Sequence, residues 1–358
     1  FHSEEVKFIP KSSSSGVWGL PTTSASSEIE FAAAAGLAPE EPVRPGLISN
    51  PMAQTNWRSV AHKRLFPLMP DPLTVLSTPS PDDLEWALEY LLFQRRINVL
   101  AVNGGDGTIH HTLNALVRVL DAQEETVPSP TLLFLNGGGM NMVARAHGTR
   151  HHPGRTLRRF LDGASTMGRL RTRESALLEV RESNGDQRVG FIFGSELVHN
   201  ALTMYERFGR GYRGLTRFFS ELGRGYLFKG KIWQQYGHLI TPPETALTLD
   251  DETLTDYAAV VASTIPMTLL RDLIRTLDEA ANPGQMNTIV VRAREPGQIL
   301  RTIPFLLAGR SGPGFTYRSK VSELMVDGPY TLDGECFSRA RGQVVVKGST
   351  RTMRGIVS

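Results

Sequence analysis

Residues 98–117, NVLAVNGGDGTIHHTLNALV, restrict the fold more than any other stretch of this 358-residue chain. An apolar run ends on Asn103, glycines at 104, 105 and 107 flank Asp106, and a one-sided pattern begins at once. Ile109, Leu113, Leu116, Val117 and Leu120 fall at spacings that make one stripe of a helix, while the short continuous run before them reads as a buried strand. The pattern repeats. GLIS at 46–49 is a strand running into Asn50-Pro51, and LTVLS at 73–77 is a second. Ser80-Pro81-Asp82-Asp83 supplies a helix start with a cap, a first-turn proline and acids at the positive end. INVLAV at 97–102 is the third strand; TLLFL at 131–135 is the fourth, leading into Asn136-Gly137-Gly138-Gly139 and a helix around 142–147. Alternating strands and helices predict an α/β domain over 45–170, built on a doubly wound parallel sheet. Ligands of such sheets bind beyond the carboxyl ends of the strands, where all three polar or glycine-rich loops fall.

After residue 170 the texture is β-rich. ALLEV and RVGFIF flank Ser183-Asn184-Gly185-Asp186, a hairpin signal. DYAAVVAS, NTIVVRA and GQVVVKG are further strand-like runs. A second, mainly antiparallel domain over 171–358 is predicted, with helical segments at 198–223 and 266–280. Residues 1–44 are rich in Ser, Ala, Glu and Pro and read as a low-complexity arm.

The glycines of 104–108 let backbone approach a bulky anion, and the helix that follows points free N–H groups at it. Asp106 would repel phosphate unless a cation lies between, so a Mg²⁺-bound nucleotide accounts for the combination. The alternative is a tight βα turn with Asp capping the helix. No Walker A sequence occurs, and Gly209–Gly214, which fits G-x-G-x-x-G, follows no strand. The single cysteine, Cys336, excludes an intramolecular disulfide, and His110-His111 and His151-His152 read as solvated surface pairs. No apolar run approaches the length needed to span a bilayer. The net charge of +3 identifies no partner, but residues 205–231 carry seven Arg or Lys, two Glu and seven Tyr or Phe. That mixture suits an anionic membrane surface or nucleic acid, and equally a solvated face over an aromatic cluster.

Taken in order, Asn50-Pro51, Gly104-Gly105-Asp106-Gly107-Thr108, the loop ending in Asn141 with Ala144-Arg145 after it, and Asp333-Gly334-Glu335 resemble the diacylglycerol kinase catalytic-domain family, which includes bacterial lipid kinases, sphingosine kinases and ceramide kinases. The resemblance covers residues 45–355. It implies a nucleotide-binding α/β domain of the NAD kinase/diacylglycerol kinase type, a β-rich lipid-binding domain and a cleft between them. It also implies an ATP-dependent lipid kinase that phosphorylates a primary hydroxyl of diacylglycerol or of a ceramide or sphingoid lipid, with ATP and Mg²⁺ as cofactors. Asn50, Gly104, Gly105, Asp106, Gly107, Thr108, Gly138 and Asn141 are then the nucleotide-binding residues. Asp106 and Glu335 are the metal ligands, and Asp333 and Asp106 are the catalytic acids, either of them the base. For Asp333-Gly334-Glu335 the alternative is an ordinary hairpin turn with exposed acids.

The expected setting is cytoplasmic and peripherally membrane-associated, with a membrane lipid as substrate, an anionic membrane surface as partner and no nucleic acid. A homodimer is left open as the assembly. The third loop departs from the usual Gly-Thr-x-Asn-Asp, reading Gly138-Gly139-Met140-Asn141-Met142, and His111 stands where the family has Glu. A NAD kinase-like enzyme and a non-catalytic lipid- or nucleotide-binding relative are the rival readings.

Overall fold

The computed structural model describes residues 40–357 apart from 54–55, 57–60, 125–126, 209–216, 218–219, 222, 227, 229–232, 235–236, 270–273, 278 and 308–313. Residues 1–39 of the expected arm, the 209–214 glycine string and much of the basic, aromatic 205–231 stretch therefore lie outside the described residues.

Four parallel strands form the first half: β1 (Pro45–Ser49), β2 (Val75–Ser77), β3 (Val99–Gly104) and β4 (Thr131–Asn136), in the order β2-β1-β3-β4. Burial on both faces explains the apolar runs of β1, β3 and β4, while β2 at the edge is only half-buried. Ile48, Leu100, Val102, Leu132 and Phe134 pack against α1 (Leu84–Glu89) and α2 (Asp106–Asp121). The alternate residues Leu47, Val99, Ala101, Leu133 and Leu135 meet Leu157 and Phe160, which lie beyond the short helix α3 (Met142–Ala146) on helix α4 (Pro153–Gly163). Ser80 caps the start of the α1 segment, its hydroxyl accepting from the Asp82 N–H. Register aligns the strand ends, with Ser49 opposite Asn103 and Gly104 opposite Asn136, so the three loops begin side by side.

The second half is antiparallel, as expected. β5 (Thr172–Glu182) and β6 (Gln187–Gly190) form the predicted hairpin. β7 (Ile192–Glu196) belongs to a six-stranded sheet with strands Tyr257–Ser263, Met286–Arg292, Phe315–Val321, Tyr330–Leu332 and Glu335–Phe337. A second core, including Phe193, Tyr257, Val290, Leu324 and Val346, fills the space beneath it. The closing strand, Gln343–Ile356, runs antiparallel to β5 and then pairs in parallel with β4, Gly355 opposite Leu132. The parallel strands and the β5–β6 hairpin are thus parts of one ten-stranded sheet.

Residues 266–280 are a correction. The described part of the segment expected to be helical holds a strand pair, Met267–Leu269 with Ile274–Leu277. Met267 and Leu277 are buried in the core that also holds Val143 and Ala144 of α3, and packing overrides the local pattern. The segment expected to be helical from 198 opens with α5 (Leu197–Phe208). Helix α6 (Pro296–Leu307) was not anticipated, nor was α4, whose N-terminus is capped by His152 accepting from the Gly154 N–H.

Candidate active site

The three strand-end loops are packed backbone against backbone. The Gly137 N–H donates to the Gly104 carbonyl at 2.9 Å. A Cβ on Gly138 would overlap the Gly105 Cα and lie 3.1 Å from the Gly105 N, and the place of a Cβ on Gly104 is filled by the Thr108 side chain. These glycines are set by close approach. Around them runs a net of amides. Asn50 Nδ2 donates to Thr108 Oγ1 at 3.0 Å, Asn56 Nδ2 to the Asn50 carbonyl at 2.7 Å, and Asn103 Nδ2 to Ser49 Oγ at 2.8 Å. Asn141, left-handed at φ 53, folds its loop onto Gly138, accepting from its N–H at 2.8 Å and donating to its carbonyl at 3.0 Å.

Asp106 is buried and does not cap its own helix. Its Oδ1 accepts from the Val143 N–H at 3.0 Å, with the Met142 and Asn141 N–H groups adding to it, so it ties α2 to the start of α3. Burial pushes its carboxyl up to about 6, opposed by those N–H donors and reinforced by the charge of Asp333.

Asp333 and Gly334 form the two-residue loop of the hairpin Tyr330–Leu332/Glu335–Phe337. Both have positive φ, 52 and 84, as a primed turn requires, and Asp-Gly is the sequence that best tolerates it. The turn was legible; the exposure of its first acid was not. Asp333 is fully buried, its Oδ1 accepting from the N–H groups of Phe191 at 2.9 Å and Ile192 at 3.0 Å and its Oδ2 lying 3.3 Å from His110 Nδ1. His110, expected in a solvated pair, is 2% exposed. Its burial depends on an acid 223 residues away.

Glu335 emerges from the turn over the first turn of α2. A Cβ on Gly107 would run into its Oε1 and lie 2.9 Å from its Cδ. The carboxylate thus rests on the bare Cα of Gly107, at the positive end of the helix. It is 41% exposed and sits 3.9 Å from His111 Nε2. Burial holds the His111 imidazole below its ordinary value, with His110 contributing and Glu335 opposing.

Beside this acid opens a cleft of about 310 Å³. Of the predicted residues, Asn50, Gly105, Gly107, Thr108, Gly138 and Glu335 line it. Gly104, Asp106, Asn141 and Asp333 lie behind the lining and shape it. Sequence reasoning missed Thr78, whose buried hydroxyl has no partner among the described residues and which also lines the cleft, as well as the supports Asn56 and Asn103. Thr78 follows the second strand and was readable in principle as a strand-end polar residue.

Among the described residues, the lining contains no Lys or Arg. An anion there would meet helix N–H groups and a carboxylate, and no described group of three His, Cys, Asp or Glu residues is placed to hold a metal by itself. This donor set fits a cation shared with a bound phosphate, the usual manner of Mg²⁺. It does not fit a metal caged by protein alone.

Residues 46–170 match the family model of the diacylglycerol kinase catalytic domain, the family the motifs resemble. No curated protein matches the chain. Among solved structures, a chain from Bacillus anthracis str. Sterne provisionally described as a diacylglycerol kinase aligns with a TM-score of 0.58 at 15% identity, over 88% of this chain and 97% of that one. A second structure, described in the same way and from the same organism, gives 0.55 at 15% identity with the same coverage. A crystal structure of a diacylglycerol kinase from that organism gives 0.52 at 14% identity, again over 88% and 97%. At these identities the likeness establishes the fold, a parallel α/β half joined to an antiparallel half. Among the described residues no helix is long and apolar enough to cross a membrane.

Proposed function

We propose, from a chain whose residues 46–170 match the diacylglycerol kinase catalytic domain, that it is an ATP-dependent lipid kinase. Its acceptor is a primary hydroxyl of diacylglycerol or of a ceramide or sphingoid lipid. One observation carries the reading: an acid from the second half, Glu335, is seated on Gly107 at the N-terminus of the glycine-loop helix, beside a cleft walled by Gly105 and Gly138. A helix N-terminus and bare backbone N–H groups suit phosphate, and a carboxylate delivered there from another element suits the acceptor side of a transfer.

In this reading the triphosphate lies along Gly105, Gly107 and Gly138, with Asn50, Thr78 and Thr108 supplying side-chain hydrogen bonds. Glu335 would hold a Mg²⁺ shared with the nucleotide, which when bound would neutralise phosphate charge that no Lys or Arg of the described lining meets. Phosphoryl transfer through a loose transition state depends chiefly on positioning and charge, and needs little from a base. The proton of the hydroxyl is assigned to Glu335, the only carboxylate lining the cleft among the described residues. Asp106 and Asp333, read from the sequence as the catalytic acids, are assigned to positioning because both are buried and hydrogen-bonded to backbone. Docking on an anionic membrane through 205–231 belongs to the same proposal, and so does a cytoplasmic, peripheral location.

The test is transfer of radiolabelled phosphate from ATP to diacylglycerol, ceramide and sphingosine in mixed micelles, with NAD as a fourth acceptor. A labelled lipid whose formation falls about a hundredfold or more in Glu335→Gln, with residual turnover, supports the reading. Labelled NADP, or nucleotide binding with no transfer to any acceptor, overturns it.

A further inference from the structure

Gly107, His110 and Asn114 are spaced by three and four residues on α2 and form one stripe facing the second half. Gly107 carries Glu335 and His110 meets Asp333, while Asn114 is bound to the backbone of Val189 on β6. The stripe therefore grips the turn Asp333-Gly334 and the acid that follows it.

The tautomer of His110 follows from its neighbours. Asn114 Oδ1 accepts from the Val189 N–H at 2.9 Å, and its Nδ2 donates to the Val189 carbonyl at 2.8 Å and to the His110 carbonyl at 2.9 Å. That pairing fixes which end of the amide is nitrogen. The same Nδ2 lies 3.4 Å from His110 Nε2. Both Nδ2 protons go to those carbonyls and the amide nitrogen accepts nothing, so an Nε2–H would find no partner in Asn114, whereas a proton on Nδ1 is directed at Asp333 Oδ2. Phe337 and His111 pack against the ring, with centroids at 5.8 and 5.3 Å. With the N–H groups of Phe191 and Ile192, this gives Asp333 three donors and holds the turn that launches Glu335.

We propose that His110 is a positioning residue for the transfer. As the Nδ1–H tautomer set by Asn114, it anchors Asp333 and so keeps Glu335 seated on Gly107. The proposal rests on the kinase reading of the cleft. It makes His110 act through the turn, without touching substrate.

The test compares three variants of the full chain with ¹⁵N-histidine NMR of the wild type. An asparagine amide nitrogen reaches the place of Nδ1, a glutamine amide reaches only that of Nε2, and leucine donates nothing. His110→Asn is expected to keep kcat within about fivefold of wild type. His110→Gln and His110→Leu should each lose about a hundredfold, with KM for ATP unchanged, because a misplacement of about 1 Å at a reacting group has that effect. The wild-type spectrum should show a His110 ring proton on Nδ1. Equal kcat for the asparagine and leucine variants, or an Nε2–H tautomer, overturns the proposal. If the leucine variant does not fold, the asparagine–glutamine contrast and the tautomer still decide it. If the wild type transfers no phosphate to any lipid, the kinase reading fails and the positioning claim with it, whereas an Nε2–H ring in an active enzyme removes this proposal alone.

Discussion

Gly107→Ala separates the stability of this fold from the placement of its cleft acid. Within α2, alanine is favoured over glycine by about 1 kcal/mol, since glycine loses more backbone entropy on folding. The nearest atoms the added Cβ would meet are all of Glu335: it would overlap Oε1 and lie 2.9 Å from Cδ and 3.4 Å from Cγ. These are the far atoms of a flexible, partly exposed side chain, so the clash is relieved by moving the carboxylate and not the backbone. To regain ordinary contact the carboxylate must withdraw by about 1 Å or more, a displacement that costs on the order of a hundredfold in rate at a reacting centre. The variant should therefore unfold at the same or higher urea concentration than wild type while kcat for lipid phosphorylation falls about a hundredfold. Chemical denaturation and a steady-state assay at saturating ATP measure the two quantities. In a Glu335→Gln background, where the carboxylate is already absent, the alanine should change kcat little. Wild-type kcat in the single variant would refute the claim that the seat of Glu335 matters. A large loss of stability would refute the claim that only a flexible side chain stands in the way.

Other perturbations test the surroundings. Gly138→Ala should behave oppositely, because its Cβ would strike the backbone of Gly105, and overpacking of this kind destabilises by about 1–3 kcal/mol and should weaken nucleotide binding. Asp106 has its carboxyl raised from 3.8 to about 6, so the protonated form is favoured by folding: its contribution is full below 3.8 and is lost as pH rises through about 6. Urea titrations from pH 4 to 7 should show wild type losing about 3 kcal/mol relative to Asp106→Asn, and parallel curves would remove the assigned cause. Tyr330→Phe deletes the hydroxyl that donates to Glu182 at 2.8 Å and accepts from Arg188 at 3.1 Å, which should lower stability by about 1–3 kcal/mol in denaturation. Replacing Arg207, Arg210, Arg213 and Arg217 together by Gln should weaken co-sedimentation with anionic vesicles by about 1 kcal/mol per residue near the surface, and flatten its salt dependence. Unchanged sedimentation would favour the solvated-face reading of that stretch.

Much of the first half was legible because local rules and tertiary structure agree there. Runs such as Val99–Val102 and Leu132–Leu135 are apolar on both sides of the strand, and only a sheet covered on both faces buries such a run. Asp333-Gly334 announced a primed turn, because few residue pairs accept two consecutive positive φ values. What the sequence could not carry is the identity of the group across a contact. Gly104 is fixed by Thr108 four residues on, Gly107 by Glu335 from the other half of the chain, and Gly138 by Gly105 from a neighbouring loop. His110 looked like a surface residue because its partners, Asp333 and the Asn114–Val189 pairing, are assembled only by the fold. The same holds for the segment expected to be helical at 266–280, where Met267–Leu269 and Ile274–Leu277 form a strand pair because the core beside α3 takes in Met267 and Leu277. It holds too for the closing strand, whose last residues keep their β5 partners on one side and meet β4 on the other. Periodicity records which faces of a segment avoid water, and short-range chemistry records which dihedral angles it tolerates. Neither specifies which distant backbone will lie against it, and in this protein that placement decides which acid faces the cleft and which are enclosed.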